Sequence, residues 1–236
     1  MRPIERDLQR AGFTVVNVSY PSWRVPVERI ADEHLPRKLA QFGIRTLKSD
    51  RTGLEQKETR ETKAGPDCVS SVETSFPSLP SVQTPRQRVH FVTHSLGGIV
   101  VRRFLATHRV ENLGRVVMLG PPNQGSALAD WFKCCEVVRW LAGPNLPRLG
   151  TGPDDLPAQL GPVDFELGVI AGDRPLFGGF LLGEKPNDSK VTVASTRVAG
   201  MKDHAVVHST HTFLMWNREA REQTVAFVER GQFRVK

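Results

Sequence analysis

An α/β fold is predicted, with a mostly parallel sheet carrying helices on both faces. Three observations point to it. Short apolar runs alternate with amphipathic stretches of helical period along most of the chain. One such run, Val89 to Thr93, passes through His94-Ser95 and two glycines straight into an amphipathic segment. That is a strand, a sharp turn and a helix, with a hydroxyl at the apex. Polar residues gather just after the strands, as they do when a parallel sheet keeps its site at the C-terminal edge. With 236 residues, 39% hydrophobic and 24% charged, the chain fits a single domain, 1–236, with an ample core.

Near the N-terminus, Ile4 and Leu8 stand four apart among charged neighbours with Gly12 behind them, which predicts a helix over 2–11. Phe13 to Val18, closed by Tyr20-Pro21-Ser22, reads as a buried strand. From Val27 to about Gly43 a second helix turns Ile30, Leu35, Leu39 and Phe42 inward, and its Pro36 must be absorbed by a kink or break. Between about 48 and 88, charged, Ser, Thr and Pro residues dominate and apolar periodicity disappears, predicting a disordered insertion. It is long for a loop inside a compact domain. Order returns with the strand 89–93 and a helix from about Leu96 to His108. A strand over 115–119 leads into Gly120-Pro121-Pro122-Asn123-Gln124-Gly125-Ser126, then helix and Gly- and Pro-rich chain to about Pro162. Strands at 167–171 and 205–207, an extended piece at 191–194 and a closing helix from Trp216 to Glu229 complete the order.

Composition narrows the function classes. The net charge is +7, but its basic residues are scattered, without a dense block or interleaved aromatics, so nucleic-acid binding is not expected. No apolar run is long enough to cross a bilayer and no signal-peptide core opens the chain, which predicts a cytoplasmic protein. The three cysteines, Cys68, Cys134 and Cys135, suit a reducing compartment, and no metal-ligand spacing is present.

Ser95 lies in Thr93-His94-Ser95-Leu96-Gly97, where the usual string is G-x-S-x-G with a first glycine in place of Thr93. Pinned at such a bend, its hydroxyl stands clear of the backbone near a helix N-terminus. The Leu96 amide points the same way, able to donate to an oxyanion. A serine in an ordinary strand-to-helix turn would give the same string. A serine hydroxyl is a poor nucleophile near neutral pH and needs a base, oriented by an anion. His211, past the last strand and flanked by threonines, is favoured as base over His208 and His204. For the acid, Asp188 sits in a turn between extended segments, with Asp173 and Asp203 as rivals. The residues expected to bind substrate are His94, beside the serine, and Pro122, Asn123 and Gln124. The loop holding the last three either lines the acyl or leaving-group side of a pocket or only shapes a helix entry through Ser126. Trp131, Phe132, Trp140 and Leu141 are either core or a partial lid for an acyl chain.

The pieces VVNVSYPS (15–22), HFVTHSLGGIVVR (90–102), RVVMLGPPNQGSALADW (115–131), PNDSKVTVASTRVAGMKDH (186–204) and THTFLMWN (210–217) occur in that order. Together they resemble bacterial lipase- and esterase-type α/β-hydrolases, related to small triacylglycerol lipases. The resemblance implies an α/β-hydrolase domain and cleavage of an ester or lipid substrate without a cofactor. It makes Ser95 the nucleophile, Asp188 the acid and His211 the base. Relatives of this type begin with an apolar strand ending in His-Gly, which supplies a second oxyanion amide and lies between the strands at 13–18 and 89–93. No such motif exists here. Three explanations stand: a start upstream of Met1, direct pairing of the two strands, or part of 48–88 filling the slot. Losing one oxyanion donor costs about 10²–10³ in turnover. The alternative is therefore a catalytically silent or truncated scaffold of the same fold, serving as a binding module.

Overall fold

The computed structural model describes residues 1–49, 87–133, 143–176 and 186–235. Nearly all of the expected insertion, the three cysteines, Trp140 and Leu141 lie outside these residues. Helix α1 (Arg2–Arg10) forms as expected and buries Ile4 and Leu8. The strand expected at 13–18 does not form. Phe13 to Tyr20 runs without a ladder, its Phe13 ring edge-on to His90 at 5.7 Å. A strand needs a neighbour's donors and acceptors, and direct pairing with the 89–94 strand does not supply them.

The helix around Pro36 forms in three pieces: α2 (Val27–Arg29), a π-helical turn (Ile30–His34) and α3 (Leu35–Gln41). Pro36 has no N–H and its ring crowds the carbonyl one turn back, so the helix widens and Leu35 N–H reaches Ile30 O instead. Ile30, Leu35 and Leu39 are buried, but Phe42, expected inward, is exposed where the helix has already ended. β1 (Thr46–Lys48), unpredicted, pairs antiparallel with β3 (His108–Val110), apart from the main sheet.

That sheet runs β2 (Val89–His94), β4 (Leu113–Leu119), β5 (Leu167–Gly172) and β6 (Asp203–Val207), all parallel, with β2 at one edge among the described residues. Helix α4 (Leu96–Thr107) follows β2 directly, and α5 (Ala127–Lys133) and the short α6 (Leu156–Gln159) lie between β4 and β5. The extended piece expected at 191–194 is a series of turns, because the hydroxyls of Thr192, Ser195 and Thr196 bond to nearby backbone. Helix α7 (Arg218–Arg230) starts two residues later than expected, where the Asn217 carboxamide accepts from Ala220 N, and stops at Gly231 (φ 76°).

Period-two alternation in β4 divides the core. Val116 and Met118 face the cluster built with Ile30, Leu35, Ile99 and Phe104, whereas Val117 and Leu119 face Ile4, Leu8 and Phe227 of α1 and α7. Helices therefore cover both faces. Gly168 in β5 is the close approach on the second side: a Cβ there would sit 2.7 Å from the Phe227 ring. The segments that carry chemistry all leave the sheet at its C-terminal edge. The chain turns at Ser95 after β2, at Gly120 after β4, and at His211 after β6, with Asp188 in the chain between β5 and β6.

Candidate active site

Ser95 occupies φ 55°, ψ −125°, a conformation that costs a non-glycine residue about 1–3 kcal/mol. Its N–H donates to Leu119 O, tying the turn to the neighbouring strand. The bend is tight enough that a Cβ on Gly97 would lie 3.3 Å from Thr93 Cβ and 3.2 Å from the Tyr20 hydroxyl. Thr93 is tolerated in place of the usual glycine because Gly97 opposite has no side chain. Leu96 opens α4, so its N–H has no acceptor within the helix.

Two hydrogen bonds link three distant side chains. His211 Nε2 lies 2.8 Å from Ser95 Oγ, and His211 Nδ1 lies 2.7 Å from Asp188 Oδ2. A carboxylate only accepts, so Nδ1 carries the proton and Nε2 is left to accept from the serine hydroxyl. His211 is 2% exposed and Asp188 fully buried. The carboxylate's other oxygen, Oδ1, accepts from Lys190 N and Val191 N at 3.0 and 2.9 Å. The backbones are also joined, His211 N–H donating to Asp188 O at 3.0 Å. Such an arrangement can draw a proton from a hydroxyl and hold it on an imidazole beside a fixed anion.

The rival residues go elsewhere. His208 and Asp173 pair with each other at 3.0 Å, with the His208 side chain 74% exposed. His204 lies in β6 with Nε2 2.9 Å from Thr196 Oγ1, and Asp203 accepts from its backbone and from Phe233 N.

The residues expected to bind substrate each make contacts within the protein. Asn123 is buried, its amide donating to Thr196 O and its oxygen and backbone carbonyl accepting from Arg102. A buried amide must satisfy its polar atoms, and this one does so by bracing the loop. Arg102, itself buried, also donates to Pro157 O and Gly161 O, and burial lowers its guanidinium to about 10. Gln124 donates to Arg197 O, Pro122 is buried, and the Ser126 hydroxyl donates to Lys190 O, which anchors the Asp188 segment. His94 directs Nε2 at His211 O, 2.9 Å away. Trp131 is 58% exposed against Phe132, so it is not the core residue that packing statistics favour.

Sequence reasoning missed Gly120. At φ 55° its missing side chain leaves room for the His211 ring: a Cβ would lie 3.1 Å from His211 Nδ1 and 2.9 Å from Leu214 Cδ1. We expect Gly120→Ala to push the imidazole out of line and lower any Ser95-dependent turnover by about 10²-fold, read as kcat on a soluble ester. Gly-Pro-Pro was the only local hint, and a turn explains it equally well.

Burial lowers His90, His94, His108 and His204 and makes stability pH-dependent, with His94 and His204 shifted furthest. Burial, then the neighbouring His211 charge, depresses His94 from 6.5 to about 4. Burial, then Arg197, does the same for His204. The folded state holds both rings neutral while the unfolded chain protonates near 6.5. Their stabilisation is full above pH 6.5 and is lost as pH falls toward 4. Its slope reaches about 1.4 kcal/mol per pH unit for each ring, less for the partly exposed His204. The urea midpoint should drop between pH 7 and pH 5, and His204→Gln should shrink that drop. An unchanged drop would show that His204 does not carry it.

No protein-family model matches the sequence, and no curated protein does either. Among solved structures, the chain is similar to phospholipase PlaB from Legionella pneumophila in complex with thio-NAD. The identity is 21% and the TM-score 0.50, over 83% of this chain and 39% of that one. It is also similar to the lipase BlEst2 from Bacillus licheniformis in mature form, at 22% identity and TM-score 0.43, over 61% of this chain and 66% of that one. The likeness is one of fold. The chain shares with them a mixed α/β fold built on a parallel sheet, and spans from about two fifths to two thirds of these proteins' lengths. No helix among the described residues is long and apolar enough to cross a membrane.

Proposed function

We propose that this chain is a serine hydrolase that cleaves carboxylic esters through an acyl-enzyme. The single observation that supports this most is the chain of hydrogen bonds from the half-buried Ser95 Oγ through His211 to the buried Asp188, assembled at the C-terminal edge of the sheet. Ser95 attacks the ester carbonyl as His211 Nε2 takes its proton, and the Leu96 amide stabilises the oxyanion. His211 then passes the proton to the leaving alcohol. Water, activated by the same imidazole, attacks the acyl-enzyme and releases the acid and Ser95. Asp188 keeps the Nδ1 proton on its own side throughout, so that Nε2 faces the serine to take and return the moving proton. No cofactor enters these steps.

A fluorophosphonate probe tests the assignment because it labels only an activated serine. The folded protein should be labelled, and Ser95→Ala should not. Labelling that survives the substitution overturns the assignment. A folded protein that takes no label would instead favour the silent scaffold. A p-nitrophenyl ester series of increasing acyl length then defines the substrate class.

A further inference from the structure

We propose that His94, the residue before the serine, is a positioning residue that holds the His211 backbone so that its imidazole stays on Ser95. This rests on the hydrolase reading above and adds a residue that touches neither substrate nor the reacting atoms. The His94 Nε2 to His211 O distance is 2.9 Å. A carbonyl only accepts, so Nε2 of His94 carries the proton and donates it. Neighbouring residues of one strand end therefore grip the same histidine at two points. Ser95 meets the ring through Oγ, and His94 meets the main chain through its side chain. On the far side, His211 N–H and Nδ1 are both held by Asp188. The His211 carbonyl accepts from Leu214 N at 3.4 Å as well, and the shorter His94 contact is the one that ties it to the strand end carrying Ser95. The two imidazoles lie 4.9 Å apart, tilted at 47°.

The proton transfer to His211 favours an uncharged neighbour. When His211 takes the serine proton, a second cation at ring-contact distance would oppose it. Burial, then the His211 charge, hold the His94 ring well below its ordinary value, at about 4; Lys190 acts in the same direction, and the hydrogen bond to His211 O and the Asp188 charge act against it. His94 is therefore a neutral donor across the pH range in which a serine hydrolase operates.

Two replacements separate positioning from packing: His94→Phe keeps ring volume without a donor, and His94→Gln keeps an N–H donor. On p-nitrophenyl acetate, His94→Phe should lower kcat by about 10²-fold, the cost of a small misplacement of a reacting group. KM should stay within about twofold, and His94→Gln should recover most of the kcat loss. In the proton spectrum, the low-field resonance of the proton between His211 Nδ1 and Asp188 should weaken or vanish in His94→Phe and persist in His94→Gln. A raised KM with unchanged kcat would make His94 a substrate contact and overturn the proposal. Equal losses in both variants, matched by equal drops in melting temperature, would reduce it to packing and overturn it too. If the wild type proves inactive on esters, the hydrolase reading fails. The low-field proton still decides the role of His94, since its persistence in His94→Phe would overturn positioning.

Discussion

Replacing Ser95 with alanine should lower ester turnover by about 10⁶-fold, the loss seen when a serine nucleophile of this kind is removed. The fold should survive, because among the described residues the only side-chain hydrogen bond of Ser95 is to His211 Nε2. Ser95→Gly carries a second, opposite expectation. Turnover should fall as far, yet stability should rise by about 1 kcal/mol, since φ 55°, ψ −125° is strained for serine and open to glycine. Initial rates on p-nitrophenyl acetate and urea unfolding of the three proteins measure both effects. A glycine variant less stable than wild type would mean that the turn stores no strain. A Ser95→Ala protein within tenfold of wild type would remove Ser95 as nucleophile.

Asp188→Asn should cost about 10⁴ in kcat, and the local geometry dictates why. Oδ1 accepts from two backbone N–H groups, Lys190 and Val191. In the amide, the oxygen must stay there, since NH₂ cannot face two donors. The NH₂ is then turned toward His211 Nδ1, which must become the acceptor. The ring proton moves to Nε2, where it points at Ser95 Oγ and can no longer receive the serine proton. Asp173→Asn is the matching control. Among the described residues its side chain pairs with the exposed His208, away from His211, so its kcat should stay within about twofold of wild type. If Asp188→Asn also kept kcat within about tenfold, another group would be orienting the base.

Much of this molecule is legible along the chain. Ile4 and Leu8, four apart, made α1; the apolar run 115–119 made β4; and Pro36 announced that the second helix could not continue unbroken. The turn at Ser95 could be read because its small residues, Ser95 and two glycines, lie within a few positions of one another. Each of these rests on neighbours in sequence, through steric or hydrogen-bonding rules that act over one turn or one pleat.

Tertiary structure decided the rest, because the deciding atoms come from far away. Phe13 to Val18 has the composition of a strand, yet no ladder formed, since a strand is a property of a pair. Asn123 and Gln124 look like pocket residues by their loop, and Arg102, Thr196 and Arg197, distant in the chain, supply polar partners that no local pattern announces. Gly120 matters only because His211, from the end of β6, is folded down over it. His94 has no role that its own strand reveals; the carbonyl that it holds lies 117 residues on. Local sequence determined which segments could turn, coil or extend. The contacts that assigned each side chain its partner exist only once sheet order has brought those segments to one edge.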